Sequence, residues 1–520
     1  MRRRLVVVGH GMVAHRLLDE LVRLDSPDPW QIDVVGAEPY APYNRLLLGE
    51  VLAGRQAVAG LSLPSAHMRV RVHAGRTAVR LDLPSGRVVD DAGSSYPFDR
   101  VVLATGAAAT IPALPGLRGP DGRLRPGAHV LRSLDDCRDL RAATTNAESA
   151  LVLGGGLLGV EAATALAERG LAVTLAHRGR TLLDRQLEAT AGTTLTEAVR
   201  DLGIEVRTGI RADRAVVTAG RVTGIAFGDG SSVTADLVLL SCGVVPRTDL
   251  AAEAGLPVSR GVLVDPDLTS PGDRRVAAIG DCAEPSAGCT GLVGTGWRQA
   301  ERLAGVLAGV LAGADAVRDE PTLPAGEVVR LKAHGLDVVT MGTTANSRRD
   351  GRGIRVLTLD DPDSRRYVRV AIDQGRVVGA TCVGAGAVSV DLLSAFDRGT
   401  PLPVDPALLM VHVSRTEASA SDNSAGSPTR MPDDATVCRC NGVPKHAVVA
   451  AWHGGANDVA AVAERTRATT GCGGCAPVVD GLLDWLRATD PRVSQGEQGA
   501  CEPMVAEQQH DPTLADTQSS

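Results

Sequence analysis

Leu5-Val6-Val7-Val8-Gly9-His10-Gly11-Met12-Val13-Ala14 lies at the start of the chain, and Leu151-Val152-Leu153-Gly154-Gly155-Gly156-Leu157-Leu158-Gly159 repeats its plan further on. In the first copy a short apolar strand, Leu5 to Val8, enters a glycine turn. An amphipathic helix is predicted to about Leu24, and a second strand, Ile32 to Val35, leads to Glu38. In the second copy a helix is predicted to about Arg169 and a strand over Ala172 to Ala176. The chemistry of a dinucleotide asks for these residues. Glycines at Gly9, Gly11, Gly154, Gly156 and Gly159 let the backbone turn tightly and approach a pyrophosphate, and the helix N-terminus offers free N–H groups. Glu38 can accept a hydrogen bond from a ribose, and Ala14 in the third position still permits close helix–strand packing. One such motif is compatible with an ordinary glycine turn. Two complete motifs in one chain point to two dinucleotides held face to face, as when a nicotinamide passes hydride to a flavin.

With 520 residues, the chain has room for three or four domains, each able to bury a core. Its formal charge of -7 carries no basic stripe, which argues against nucleic acid as a partner. The longest apolar runs are broken by glycine and are too short to span a bilayer, so no membrane segment is expected. Met1-Arg2-Arg3-Arg4 before Leu5 imitates a secretory signal, but the apolar run meets Gly9 at once. Ten cysteines in a chain of this length do not make a secreted disulfide scaffold; a reducing cytoplasm with a metal-bound subset fits better.

That subset stands near the end as Cys438-Arg439-Cys440 and Cys472-Gly473-Gly474-Cys475. Two close pairs of soft thiolates suit a [2Fe-2S] cluster or a tetrahedral zinc. Zinc sites usually separate paired cysteines by two to four residues, so the single residue between Cys438 and Cys440 favours the cluster while leaving zinc open. Residues 417–435, rich in Ser, Ala, Asp and Pro, have the composition of a flexible linker. A chain of that length spans roughly 25 Å, enough to carry a small module between two docking positions.

Several further stretches carry a family resemblance. Tyr96 to Gly106 resembles the strand and turn that close the first nucleotide domain of two-dinucleotide flavoproteins, with Thr105 and Gly106 at the flavin. Val276 to Asp281 resembles their second flavin contact, which includes Gly280 and places Asp281 at the ribityl chain. Tyr43-Asn44-Arg45, Thr181 to Leu187, Gly291-Leu292-Val293, Gln299-Ala300 and Leu331 to Gly335 resemble the flavoprotein part of the assimilatory nitrite reductase large subunit. They are equally similar to the electron-transfer subunit of assimilatory nitrate reductase. The cysteine quartet resembles the bacterioferritin-associated-ferredoxin-like [2Fe-2S] module at all four positions.

The resemblance implies an α/β fold with a split FAD domain, 1–115 and 245–325, and an NAD(P)H domain inserted at 116–244. A small α/β domain at 326–415, a linker at 416–435, the [2Fe-2S] module at 436–490 and a disordered tail at 491–520 would complete it. FAD would be held by Gly9, Gly11, Ala14, Glu38, Asn44, Arg45, Thr105, Gly106, Gly280 and Asp281. NADH or NADPH would be held by Gly154, Gly156, Gly159, Glu161, His177 and Arg178, with Lys332 helping to shape the flavin side. No side chain is assigned a catalytic acid or base role, because the cofactors carry that chemistry. Electrons would run from NAD(P)H through FAD and the cluster to a separate terminal reductase, nominated by the resemblance as a molybdenum-cofactor nitrate reductase.

Disulfide reductases of this architecture place cysteines beside the flavin, but none precedes Cys137 and no close pair precedes Cys438. Cys282 and Cys289 form no known signature and are expected to be small buried groups; Cys501 lies in a patternless tail. His10 is expected to be a turn residue, and Trp452 and Trp485 to be module core. Three alternatives stay open: a flavin and cluster subunit of an amine, amino-acid or opine dehydrogenase, a ferredoxin reductase of an oxygenase system, and a zinc-stabilised docking module.

Overall fold

The computed structural model describes residues 3–24, 30–64, 70–309, 328–342, 354–399, 431–438, 440–471 and 473–489, with a few positions between 401 and 410. The expected linker up to residue 430, the tail, Cys472 and Cys501 lie outside the described residues. Two compact units divide the chain, Met1–Ala418 and Ser419–Ser520.

In the first unit the strand Arg4–Val8 is buried from Leu5 onward and lies parallel between Gln31–Gly36 and Arg100–Leu103. Val70–Ala74 extends this sheet on one side, and on the other Asp273–Ala278 pairs in parallel with Arg100–Leu103. Residues from before and after the second glycine motif therefore share one sheet. Its central strands are almost wholly Val, Leu and Ala, and they share one core with the helices Met12–Arg23 and Val293–Leu307 and with Leu81, Val88 and Tyr96 of the three-stranded sheet Ala78–Asp82, Arg87–Asp90, Ser95–Pro97. The helix Met12–Arg23 lays Ala14, Leu17, Leu18 and Leu21 on the sheet, and each buried leucine contributes about 1.5–3 kcal/mol. Val293–Leu307 packs beside it, with the Arg16 guanidinium 5.0 Å from the Trp297 ring centre.

The second sheet is parallel throughout, in the order Glu205–Arg207, Ala172–Ala176, Ser149–Leu153, Leu237–Leu240, Ala128–His129. The third is antiparallel, in the order Val328–Arg330, Val338–Gly342, Arg376–Val383, Arg366–Asp373, Arg355–Asp361, with the helix Gly386–Arg398 against it. Its tight hairpin has Gln374 and Gly375 both at positive φ, 48° and 73°, the two-residue turn whose twist matches the flanking strands. One hydrophobic core runs through all three regions. Leu48, Val51 and Leu52 near the first sheet pack with Val152, Val160 and Leu166 of the second, and with Leu331, Val338 and Val383 of the third.

The second unit pairs Thr436–Cys438 with Val443–Pro444 and adds the helices Lys445–His453, Val459–Thr466 and Ala476–Thr489. Val448, Val462, Val479, Leu482, Leu483 and Trp452 form its own core, with Trp485 packed at the rim. Buried Lys445 donates from Nζ to the Met431 carbonyl, 2.8 Å, and pairs with Asp433, 3.1 Å. Among the described residues no helix is long and apolar enough to cross a membrane.

Candidate functional site

Both glycine turns have the same physical signature. Gly9 and Gly154 sit at φ 105° and 123°, and an added Cβ would meet the carbonyl oxygens of Ala104 and Ser241 at 2.2 and 2.1 Å. These glycines let a turn slip past the neighbouring strand. At Gly11 and Gly156, by contrast, a Cβ would meet nothing within 4 Å. Each is the N-cap of a twelve-residue helix with no side-chain cap, so the first turn begins without a side-chain acceptor and beside open space. Uncapped donors and an open approach fit a pyrophosphate. Ala14 is buried beneath the first turn, whereas a Cβ at Gly159 would come to 1.8 Å from the Gly154 oxygen.

A cleft above the first turn is lined by Gly9, His10, Gly11, Glu38, Tyr43, Arg45, Thr105, Gly106, Arg132 and Arg247, among others. Glu38 is held there from two sides: the Tyr43 hydroxyl donates to it at 2.7 Å, and Arg45 pairs with it. Tyr43 in turn accepts from the Leu134 N–H at 2.8 Å, and burial first, then Glu38, raise its pKa against the pull of Arg45. Asn44 is turned away from the cleft, buried, with its side-chain oxygen capping the turn Arg45–Leu47 at Leu46 N–H, 3.1 Å. Asp281, on the short turn after Gly280, pairs with Arg132 at 2.5 Å, and Gly280 N–H donates to Gln299 at 2.7 Å.

Arg132 went unassigned in the sequence, and His10 was given no role beyond the turn in which it lies. Arg132 bridges Asp281 to the Ala107 carbonyl, and its own carbonyl accepts from Arg45. The capping box of the following helix, Ser133 with Asp136, fixes it, and that pattern was the available signal. The His10 ring, expected in a turn, lines the cleft; both its nitrogens are buried without a hydrogen-bond partner, and burial lowers its pKa. An orphaned ring beside an open helix N-terminus fits a bound polar ligand.

At the second turn His177 Nδ1 accepts from Gly155 N–H, 3.0 Å, while Nε2 faces Asp184 at 3.4 Å. Burial outweighs Asp184 and lowers the His177 pKa, which keeps Nδ1 an acceptor. Arg178 is exposed next to it. Glu161 lies four residues into the helix, where its carboxylate accepts from the Lys332 backbone N–H, 3.0 Å. The Lys332 ammonium reaches the Leu46 carbonyl, 3.2 Å, so one residue ties all three regions together.

Burial pushes the Glu161 pKa up from 4.5 to about 7, against the opposing charge of Lys332. The native state therefore keeps this proton through a range in which the unfolded chain has released it, and stability falls as pH rises from 4.5 to 7 and is flat above. The loss is at most about 3 kcal/mol. Glu161→Gln is expected to unfold like the wild type near pH 5 but at higher denaturant at pH 8.5. Superimposable pH profiles in urea titrations would refute this assignment.

In the second unit Cys438 and Cys475 are buried and Cys440 is half-buried. The Cys438 thiol is pulled below its ordinary pKa, foremost by its hydrogen bond with Cys475 and further by the backbone of Thr469 and Asn441. Thr469 N–H also donates to Cys475 Sγ at 3.2 Å. Among the described residues no three His, Cys, Asp or Glu side chains gather closely enough to hold a metal, and Cys472 is not one of those residues. The chemistry of the donors still fits a cluster, because N–H groups aimed at sulfur stabilise thiolate. Cys282 and Cys289, in contrast, donate to backbone carbonyls at 3.3 and 3.4 Å, and burial raises both thiols.

Pyridine nucleotide-disulphide oxidoreductases match residues 3–302, more than half of the chain. The chain belongs to this family. Residues 436–485 match the BFD-like [2Fe-2S] binding domain. FAD, NAD(P)H and a [2Fe-2S] cluster are accordingly the cofactors of this family member. Among curated relatives, the NAD(P)H nitrite reductase of Bacillus subtilis (strain 168) is 30% identical over 96% of this chain and 60% of its own length. The large subunit of the Klebsiella oxytoca NAD(P)H nitrite reductase is 33% identical over 93% and 49%. An assimilatory nitrate reductase electron transfer subunit of Bacillus subtilis (strain 168) is 27% identical over 93% and 60%. The chain thus spans about half to three fifths of the length of these three relatives. Among solved structures, the ferredoxin reductase for the CYP199A2 system of Rhodopseudomonas palustris superposes with TM-score 0.65 at 22% identity, over 78% of this chain and all of its own. At that identity the likeness is one of fold.

Proposed function

We propose that this chain takes electrons from NAD(P)H and passes them through FAD and a [2Fe-2S] cluster to a catalytic centre outside these residues. When bound, the three groups supply the conversion of a two-electron donor into one-electron deliveries. The residues supply placement. Gly9, Gly11 and the helix after them receive the FAD pyrophosphate over Ala14, with Glu38 at the ribose, itself positioned by Tyr43 and Arg45. Thr105, Gly106, Gly280 and Asp281 serve the flavin side, with Asn44 shaping the turn that presents Arg45. Gly154, Gly156 and Gly159 receive NAD(P)H with Glu161, His177 and Arg178 around them, and Cys438, Cys440, Cys472 and Cys475 ligate the cluster.

The single observation that carries the reading is the presence of two uncapped, open glycine turns and a paired-thiol module on one chain. Likeness to the Bacillus subtilis electron transfer subunit nominates assimilatory nitrate reductase, and hence a molybdenum-cofactor subunit, as the acceptor. A cytoplasmic setting belongs to the same proposal. Arg178 in place of an acid tolerates the 2′-phosphate of NADPH, although the resembling family also uses NADH. Anaerobic mixing with each nucleotide in turn tests the route: flavin absorbance should bleach and a reduced-cluster EPR signal should follow. A protein holding zinc without iron, or a flavin that neither nucleotide bleaches, would overturn it.

A further inference from the structure

From the second unit we infer that Asn441 is a positioning residue for the cluster, joining its two ligand loops and raising its reduction potential by donating to a ligand sulfur. This rests on the ligand assignment proposed above. Asn441 follows Cys440 directly, and its side-chain Nδ2 has three acceptors: Cys438 Sγ at 3.7 Å, the Arg467 carbonyl at 2.7 Å and the Thr470 hydroxyl at 3.2 Å. The first lies in the loop carrying Cys438 and Cys440. The other two lie in the segment that leads into Cys472 and Cys475. One amide therefore spans both halves of a quartet whose pairs are separated by thirty-one residues.

That segment is itself held in an uncommon conformation. Arg467 and Thr469 both have positive φ, 66° and 69°, a region that a β-branched residue such as Thr enters only when its surroundings impose it. The result is that Thr469 N–H points at Cys475 Sγ, 3.2 Å away. Thr470 closes the turn with its hydroxyl donating to the Arg467 carbonyl, 2.9 Å, the same oxygen that Asn441 engages. The amide and the strained turn thus fix each other, and two sulfurs on opposite loops each receive an N–H.

Adding an electron to a cluster raises the negative charge on its sulfurs, and donors aimed at them favour the reduced form. Removing one is expected to shift the one-electron equilibrium about tenfold toward the oxidised form, or ~59 mV downward. Asn441→Asp keeps the shape and removes the donor; Asn441→Ala removes both; Thr470→Val removes one anchor and leaves the amide facing Cys438. EPR-monitored redox titration of the full, flavin-loaded chain is expected to show both Asn441 variants shifted down, Asp at least as far as Ala, and Thr470→Val shifted less in the same direction. Iron release to a chelator should quicken in the same order.

A wild-type potential in Asn441→Asp would overturn the donor role. If neither Asn441 variant holds iron, the Thr470→Val titration decides, and a wild-type potential there would likewise overturn the tuning. Iron and sulfide content of the wild type tests the ligand assignment separately: a wild type without both sinks that assignment, whereas a loaded wild type with unmoved variants sinks only this inference.

Discussion

Cys440→Ser is expected to leave the bleaching of the flavin by NAD(P)H within twofold of wild type while electron delivery through the cluster falls by two orders of magnitude or more. The two halves of this expectation have separate physical grounds. The flavin and nicotinamide turns sit in cores built from residues 5–383, and the module core is built from residues 431–486, with no member in common. A change at Cys440 therefore falls beside a core to which neither glycine turn contributes a residue. Within the module, outer-sphere partners of a metal site typically cost 10–100-fold when removed, so losing a first-sphere thiolate costs at least the upper end, ~100-fold. The module is also small enough that ligation supplies part of its folding free energy, so faster proteolysis of residues 436–489 should accompany the loss. Stopped-flow absorbance, reduced-cluster EPR and reduction of the isolated terminal partner measure the three effects. Delivery at the wild-type rate would mean that the flavin reduces its partner directly and that the module only docks.

What could be read in the sequence is what short-range sterics impose. A strand that must turn past its neighbour needs glycine at Gly9 and Gly154, and a helix that must accept an anion leaves Gly11 and Gly156 open; these constraints act within a few residues and leave a pattern. The hairpin at Gln374-Gly375 is legible for the same reason. The contacts that give the site its character are long-range. Arg132 meets Asp281 across 149 positions, and Lys332 reaches Leu46 across 286. No local pattern could pair them. The ring of His10 faces the cleft because Gly36 leaves room for it: a Cβ at Gly36 would come to 2.9 Å from the His10 Cβ. Asn441 was legible as a neighbour of a cysteine but not as a donor, since its firmest acceptors come from a loop 26 and 29 residues later.

The second large effect separates the glycines of the nicotinamide turn by what each one avoids. At Gly159 the added methyl of alanine would lie 1.8 Å from the Gly154 oxygen and 2.9 Å from its carbonyl carbon, both main-chain atoms of the turn itself. No flexible side chain is there to yield, so the helix Leu157–Glu168 must move off the strand Ser149–Leu153. Overpacking of this kind costs about 1–3 kcal/mol, and Gly159→Ala should lower the unfolding midpoint as well as nucleotide affinity. At Gly156 the backbone is extended, φ -79° and ψ -178°, which alanine adopts freely, and nothing lies within 4 Å of its Cβ. Gly156→Ala should therefore keep the wild-type unfolding midpoint and FAD content. Its methyl instead occupies the approach of the pyrophosphate, which should weaken NAD(P)H about 10–100-fold, equivalent to roughly 1.4–2.8 kcal/mol. Urea unfolding together with the nucleotide dependence of anaerobic flavin bleaching resolves the pair. Undiminished affinity in Gly156→Ala would show that the dinucleotide does not approach this turn, and the assignment of Gly154 to Gly159 as the nicotinamide site would fall with it.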